Sequence, residues 1–438
     1  MHQENTIKLK PRKAILLGTS ALVCLALAAP VMATDFTIAS QVTATNNNYT
    51  IDGGDTVNVT GTIDTGTTNS ESGINTTGSN NINVSTGGII NTGGTGSDGI
   101  WNEGNTNTTT MSGSITTTGT NAYGIHNESS SNTTTVSGSI TTTNTNAYGI
   151  VNYGNTNKTT VSGSITTGGT NADGIRNIGA SNTTTVSGRI TAGNGIDAYG
   201  IHNEGNTNTT TVSGRIETTG QRGEAIRNWG SNNETTMSGS ITTTNTNAYG
   251  IHNRGNTNKT TVSGSITTGG AGAHAIAIQG DDNTTTVSGS ITATGGSGGI
   301  AHNGDDNTTT ISGTVKATSA SSAALLNFKG SGNSFTLNTG ATIIGDILAM
   351  NDTVSDPTNI ATNSELIFSL GASTSYAYTV SGKGEGTTGG KWTFSDLDGR
   401  TQGVTTDGTG CDTTITGAGN DTCNLVTAVG NGNAEAQD

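Results

Sequence analysis

The chain has 438 residues, of which 29% are hydrophobic, 11% charged and 4% aromatic, and its net charge is −14. That acidity excludes a nucleic-acid binder working through phosphate contacts. So few apolar residues also exclude an ordinary globular domain of this length, which leaves a disordered chain or a repeat architecture with a narrow core.

Residues 1–33 read as an export signal. Lys8, Lys10, Arg12 and Lys13 form a basic start, residues 14–29 an apolar run too short and too Ala-rich for a membrane span, and Val31-Met32-Ala33 a small-residue cleavage site. Cys24 lies inside that run after Val23, a poor lipoprotein setting. Four of the 17 basic and one of the 31 acidic residues leave with the signal, so the remainder holds 13 against 30, a net charge of −17. No other apolar stretch is long enough to cross a membrane as a helix.

Residues 34–98 contain worn repeats. The stretches from Val57 to Ile63 and from Ile82 to Ile90 are altered copies of a strand pair that becomes regular later. Residues 99–320 are the regular array. A Gly-Ile or Ala-Ile start recurs at Ile100, Ile125, Ile150, Ile175, Ile201, Ile226, Ile251, Ile276 and Ile300, so successive repeats are 24 to 26 residues apart. A second marker, from Gly113 through Gly138 and Gly163 to Gly313, keeps the same beat. Three short strands and three turns consume roughly 25 residues. Each repeat is therefore read as one coil of a right-handed parallel β-helix, a β-solenoid of roughly eleven or twelve coils. The strict beat of phased Ile and Val argues against disorder, and Thr, Val and Ile suit a pleated surface.

The two-residue strand period sets direction. In one coil Ile125, Asn127, Thr134, Val136, Ile140 and Thr142 point in, while His126, Thr133, Thr135, Thr141 and Thr143 point out. The inward Asn recurs as Asn102, Asn127, Asn152, Asn177, Asn203, Asn228 and Asn253, and lapses at Ile278 and His302. A buried amide is costly unless paired, and a stack of identical amides pairs each with the coil above and below, so these seven form a structural Asn ladder.

Residues 321–398 read as further coils and a cap. Leu325, Leu326, Phe328, Phe335, Leu337, Ile343, Ile344, Ile347 and Leu348 promise a fuller core, Pro357 punctuates, and aromatic strands between 363 and 398 suggest a C-terminal β cap. Residues 399–438 form a Gly/Thr/Asn-rich tail with Cys411 and Cys423. In an exported chain that pair reads as a disulfide, with reactive thiols as the alternative.

Enzyme chemistry has little support. His126, His202 and His252 share one outward repeat position and read as copies of a surface residue. No Gly-x-Ser-x-Gly elbow, His-Glu-x-x-His or phosphate-binding loop occurs, and no cofactor is expected. Asp281, Asp282, Asp305 and Asp306 fall at one coil position in adjacent coils, and either bind Ca²⁺ or fan into water. Around the fixed Ile and Asn, Trp101, His126, Tyr153, Arg176, Trp229 and Arg254 vary freely, and form either a contact face or a drifting surface. Outward Thr-x-Thr pairs such as Thr133/Thr135 and Thr209/Thr211 resemble the ice-binding face of antifreeze β-solenoids, but Lys158, Glu234 and Lys259 interrupt them.

The export signal, the Gly/Asn/Thr-rich β-helical repeat and the aromatic strands followed by Asp396-Leu397-Asp398-Gly399-Arg400 resemble the adhesin-like passenger of Gram-negative autotransporters. The resemblance covers nearly the whole chain and rests on repeat style and domain order. It implies a secreted β-helix at the cell surface or outer membrane, preceding a barrel, with a host-cell or matrix protein or glycan as partner. Barrel strands of about ten residues are absent after Asn424. The chain therefore reads as a passenger whose barrel is encoded separately or lost, or as a freely secreted structural or matrix solenoid.

Overall fold

The computed structural model describes residues 14–16, 35–39, 41–43, 49–51, 53–296, 298–319 and 323–350, and strands at 361–362, 364–369, 378–383, 391–396, 404–407, 414–416 and 422–428. The chain is all-β, with parallel coils stacked into a β-solenoid of about 12 turns. It divides into two compact units, Met1–Gly223 and Glu224–Asp438.

Each coil of the first unit presents three faces. Ile125–Asn127 belongs to the first, Thr133–Val136 to the second and Ser139–Thr142 to the third. Every face pairs in parallel with its counterpart one coil on: Ile125 with Ile150, Val136 with Val161, and Ile140 with Ile165. The worn N-terminal repeats keep this alignment, since Ile74 pairs with Ile100 and Val84 with Met111. Within the expected signal, Ala14–Leu16 lies parallel to Asp35–Ile38, and the rest of the signal lies outside the described residues.

The core is a narrow column. Ile125, Val136 and Ile140 are all 0% exposed, and their equivalents in every coil from Ile100 to Ile216 are buried likewise. Its inward Thr residues reach polar partners in their own coil: Thr117 Oγ1 donates to the Ala122 carbonyl at 2.9 Å and Thr167 Oγ1 to that of Ala172 at 2.6 Å. Gly138 shows how closely the coils stack between the second and third faces. A Cβ there would sit 1.9 Å from the Gly113 carbonyl oxygen, a backbone atom that cannot give way.

Two columns of Asn run through the first unit. Asn102 Nδ2 donates to Asn127 Oδ1, Asn127 to Asn152, Asn152 to Asn177 and Asn177 to Asn203, all at 2.7 Å. Each Nδ2 also donates to the Thr seven residues on, as Asn152 does to Thr159 Oγ1 at 3.2 Å. A second column, five residues later, sits in the turn between the first and second faces and was not anticipated from the sequence. There Asn132 Oδ1 accepts the backbone N–H of Asn107 and Asn157 Oδ1 that of Asn132, each at 2.7 Å, while Asn132 Nδ2 caps the Ser129 carbonyl at 2.8 Å. The residue before each of these Asn is left-handed: Thr106, Ser131, Thr156, Ser181 and Thr207 have φ from 56 to 62°. Branched Thr rarely adopts that conformation, so the stacked turn imposes it.

The second unit repeats the plan. Asn228 Nδ2 donates to Asn253 Oδ1 at 2.8 Å, and the turn column runs from Asn233 through Asn258 and Asn283 to Asn307. The first ladder is replaced by buried Ile278 and His302 and returns at Asn327, which pairs with His302 in the parallel alignment. Leu325, Phe335, Leu337 and Ile347 do fill the core, each 0% exposed. Ile344 does not; it is 45% exposed on a strand that ends with the turn at Gly345.

The aromatic stretch after 363 continues the parallel stack, with Ser364–Ser369 beside Ser334–Asn338 and Lys391–Asp396 beside Ser364–Ser369. Among the described residues, antiparallel pairing begins only with the strands after residue 399. Thr414–Thr416 pairs antiparallel with Lys391–Asp396, and Thr422–Ala428 pairs antiparallel with both Tyr378–Lys383 and Val404–Asp407. The stretch read as a tail thus supplies antiparallel strands against the last parallel ones, a common way to protect an open edge.

Candidate contact face

The candidate face lies over the first-face strands, which are only three residues long. A strip this narrow is flanked on both sides by turns, whose side chains fold over it. That decides which outward residues meet solvent.

His126 does not. It is 8% exposed, and His202 and His252 are 4% and 3%. The turn residue two before the Gly-Ile start explains this. Asp98 Oδ2 sits 2.8 Å from His126 Nδ1 in the next coil, Asp173 Oδ2 3.2 Å from His202 Nδ1, and Glu224 Oε1 2.8 Å from His252 Nδ1. Each ring also meets the edge of the Tyr three residues before it. The centroid distances are 5.1 Å for Tyr123–His126, 4.9 Å for Tyr199–His202 and 4.8 Å for Tyr249–His252. The three histidines are therefore anchored, not free surface copies. Alignment of the repeats contains the signal: an acid at this turn position in one coil is followed by Tyr-x-x-His in the next. Burial pushes the Asp98 carboxyl up while His126 draws it down.

Trp101 is half-buried, stacked on His126 with centroids 5.5 Å apart. Arg176 is half-buried too. Its guanidinium lies 4.8 Å over the Tyr148 ring and bonds Tyr148 Oη and Glu204, with Asp173 at 4.0 Å. Burial opposes the Arg176 charge, but Asp173, Tyr148 and Glu204 outweigh it and hold its pKa above the usual value. Of the six residues expected to form the face, Tyr153, Trp229 and Arg254 are exposed; Tyr153 is 37% and Trp229 51% accessible. In the first unit Tyr153 leans on His126. In the second, the guanidinium carbons of Arg227 and Arg254 each lie 4.5 Å from the Trp229 ring centroid.

The acidic pairs play a backbone role. Asp281 Oδ1 accepts the Asp305 N–H and Asp305 Oδ1 that of Ser331, both at 2.8 Å, as Asn105 Oδ1 does for Ser130 at 2.9 Å. Asp282 and Asp306 take the left-handed turn position at φ 56° and 55°. These four residues stand where other coils place Asn, Ser, Thr or Ala, and among the described residues no cluster of three His, Cys, Asp or Glu has metal-holding geometry. On the second face of the first unit, Thr133 and Thr135 align with Thr108 and Thr110, but Lys158 is exposed in the same column; in the second unit Glu234 and Lys259 are exposed at the equivalent position. Of the expected Cys411–Cys423 pair, Cys411 falls outside the described residues, and Cys423 lies on the strand Thr422–Ala428.

No family model, curated protein or solved structure matches the chain.

Proposed function

We propose that this chain is an exported, autotransporter-passenger-like β-solenoid. It acts as a non-enzymatic contact surface at the cell surface, in adhesion or structural display, and binds a host-cell or matrix protein or glycan. The observation that carries the reading is the exposure of Trp229 and Tyr153, 51% and 37%, on a fold whose other large side chains are mostly covered. The coil needs its Ile and Asn; its stacking does not require an exposed indole, and exposed aromatics are favoured contact residues. Spaced contacts on stacked coils bind multivalently. Replacing Trp229 and Tyr153 by Ser should lower attachment of the full chain to host cells in two steps, with melting unchanged. Replacing His202 by Ala should do the reverse, lowering melting with attachment retained, because its ring is buried and anchored to Asp173. Attachment that survives loss of both aromatics would remove the face from the function.

The aligned Thr pairs of the second face favour one other reading, an ice-binding plane. A charged column tolerates ice contact badly, and Lys259 Nζ pairs with Glu234 Oε1 at 3.1 Å within it. Thermal hysteresis is expected to be absent. Hysteresis that disappears when Thr133, Thr135, Thr209 and Thr211 are replaced by Lys would move the function to this face.

A further inference from the structure

We propose that the Arg227–Trp229–Arg254 stack of the second unit binds an acidic saccharide, a sugar bearing a carboxylate or sulfate. The inference rests on the contact-face reading and names the ligand class for one part of it. Trp229 offers an indole that is 51% exposed, with the guanidinium of Arg227 from its own coil and that of Arg254 from the next each 4.5 Å from its centroid. The two arginines play different parts. Arg227 is 7% exposed and lies 3.6 Å from Glu224, which also holds His252, so it is a fixed support for the indole. Arg254 is exposed. Six arginines lie among the described residues, and Arg176, Arg189, Arg215, Arg222 and Arg227 each have a carboxylate within 4.0 Å. Arg254 has none among the described residues and rests on the indole instead. An exposed Arg without an acidic partner, on a chain of net charge −14, leaves its charge for a ligand.

The chemistry of the patch narrows that ligand. An exposed indole accepts the flat C–H face of a sugar ring by dispersion and its quadrupole. The guanidinium fork beside it takes a carboxylate or sulfate in two parallel hydrogen bonds. Gln279 and Asn303 stand at the equivalent position of the next two coils and offer amides at steps of about 4.8 Å. A row of one aromatic, one cation and neutral amides suits an acidic sugar within an oligosaccharide. It does not suit a polyanion read by many charges, which the acidic chain as a whole repels. The corresponding positions of the first unit carry Glu103, Glu128 and Glu204 around Tyr153, so that patch should refuse acidic sugars.

The test is calorimetric titration of the full chain with short oligosaccharides that carry a single carboxylate or a single sulfate, a neutral galactan oligosaccharide and polyglutamate. Acidic saccharides should bind, weakening with added salt. Trp229→Ser and Arg254→Ala should each weaken binding about tenfold or more, equivalent to about 1.4 kcal/mol, and Arg254→Lys should restore only part of it. Tyr153→Ser should change nothing. Equal binding of neutral galactan or polyglutamate overturns the assignment, as does acidic-sugar binding that survives both substitutions. Cell attachment that needs Trp229 without any acidic-sugar binding overturns the saccharide and leaves the contact face standing. Acidic-sugar binding that needs Trp229, with no attachment to cells, supports the saccharide and overturns adhesion.

Discussion

Replacing Asn152 by Leu should lower the urea-unfolding midpoint by more than Ile150→Val does, and the double substitution Asn127→Leu/Asn152→Leu should cost little more than the single one. Asn152 is 0% exposed and has three side-chain partners: its Nδ2 donates to Asn177 Oδ1 and Thr159 Oγ1, and its Oδ1 accepts from Asn127. Leucine removes all three. An Asn127 N–H and the Asn177 carbonyl oxygen are then buried without a ladder partner, at about 1–3 kcal/mol each. The total, about 2–6 kcal/mol, exceeds the 0.5–1.5 kcal/mol typical of Ile→Val in a core. In the double variant the orphans are Asn102 Nδ2 and Asn177 Oδ1, so there are still two. Only the Thr134 contact of Asn127 is lost in addition. A broken column therefore loses its ends, not its length. Urea unfolding followed by far-ultraviolet circular dichroism measures this. Two substitutions whose costs simply add would show that the amides act singly.

The ladder was legible because it sits inside a strand, where the two-residue period assigns each position a direction and a buried amide demands a partner. The second Asn column was not, because it sits in a turn, where Asn is ordinary without any stacking. The structure gives these turn residues a different task, accepting the backbone N–H of the Asn one coil before. The reading of His126 failed for a related reason. Its direction, away from the coil axis, follows from the period, but a three-residue face is narrow enough for Asp98, Tyr123 and Trp101 to cover what points outward. Outward and exposed coincide on a broad sheet and part company on a thin one. Exposure of Trp229 and Tyr153 depends on neighbours in adjacent coils, which a single repeat does not reveal. The late antiparallel strands stayed hidden because their Gly, Thr and Asn resemble linker composition, and only pairing distinguishes them.

Stability of the second unit should fall as the pH drops from about 6.5 toward 3, and His302→Asn should remove much of that slope. His302 is 0% exposed and stands in the Asn column, between Ile278 and Asn327. Its Nε2 is 2.7 Å from Thr309 Oγ1, its ring stacks on Phe335 at 4.2 Å, and its Nδ1 is buried without a hydrogen-bond partner. Burial lowers its pKa from 6.5 to about 3, so the folded chain holds the ring neutral. The unfolded chain takes up the proton first. The neutral ring's contribution is therefore complete above about pH 6.5 and is lost, at about 1.4 kcal/mol per pH unit, on the way down to about 3. By pH 5 the expected loss is about 2 kcal/mol. His274 in the preceding coil is lowered to about 4, chiefly by burial, and adds to the slope in the same direction. Asn at 302 can donate to Thr309 as Asn253 does to Thr260, seven residues on, and it does not titrate. The difference in unfolding free energy between the two chains, measured from pH 7 to 4, isolates this one ring from every other acid-sensitive group. Hydrogen exchange over 300–338 should show where the opening begins, with protection lost in the parent at pH 4 and kept in the Asn variant. Parallel pH curves for the two chains would mean that His302 is protonated in the fold or solvated on the way to it, and that the acid sensitivity of this unit lies elsewhere.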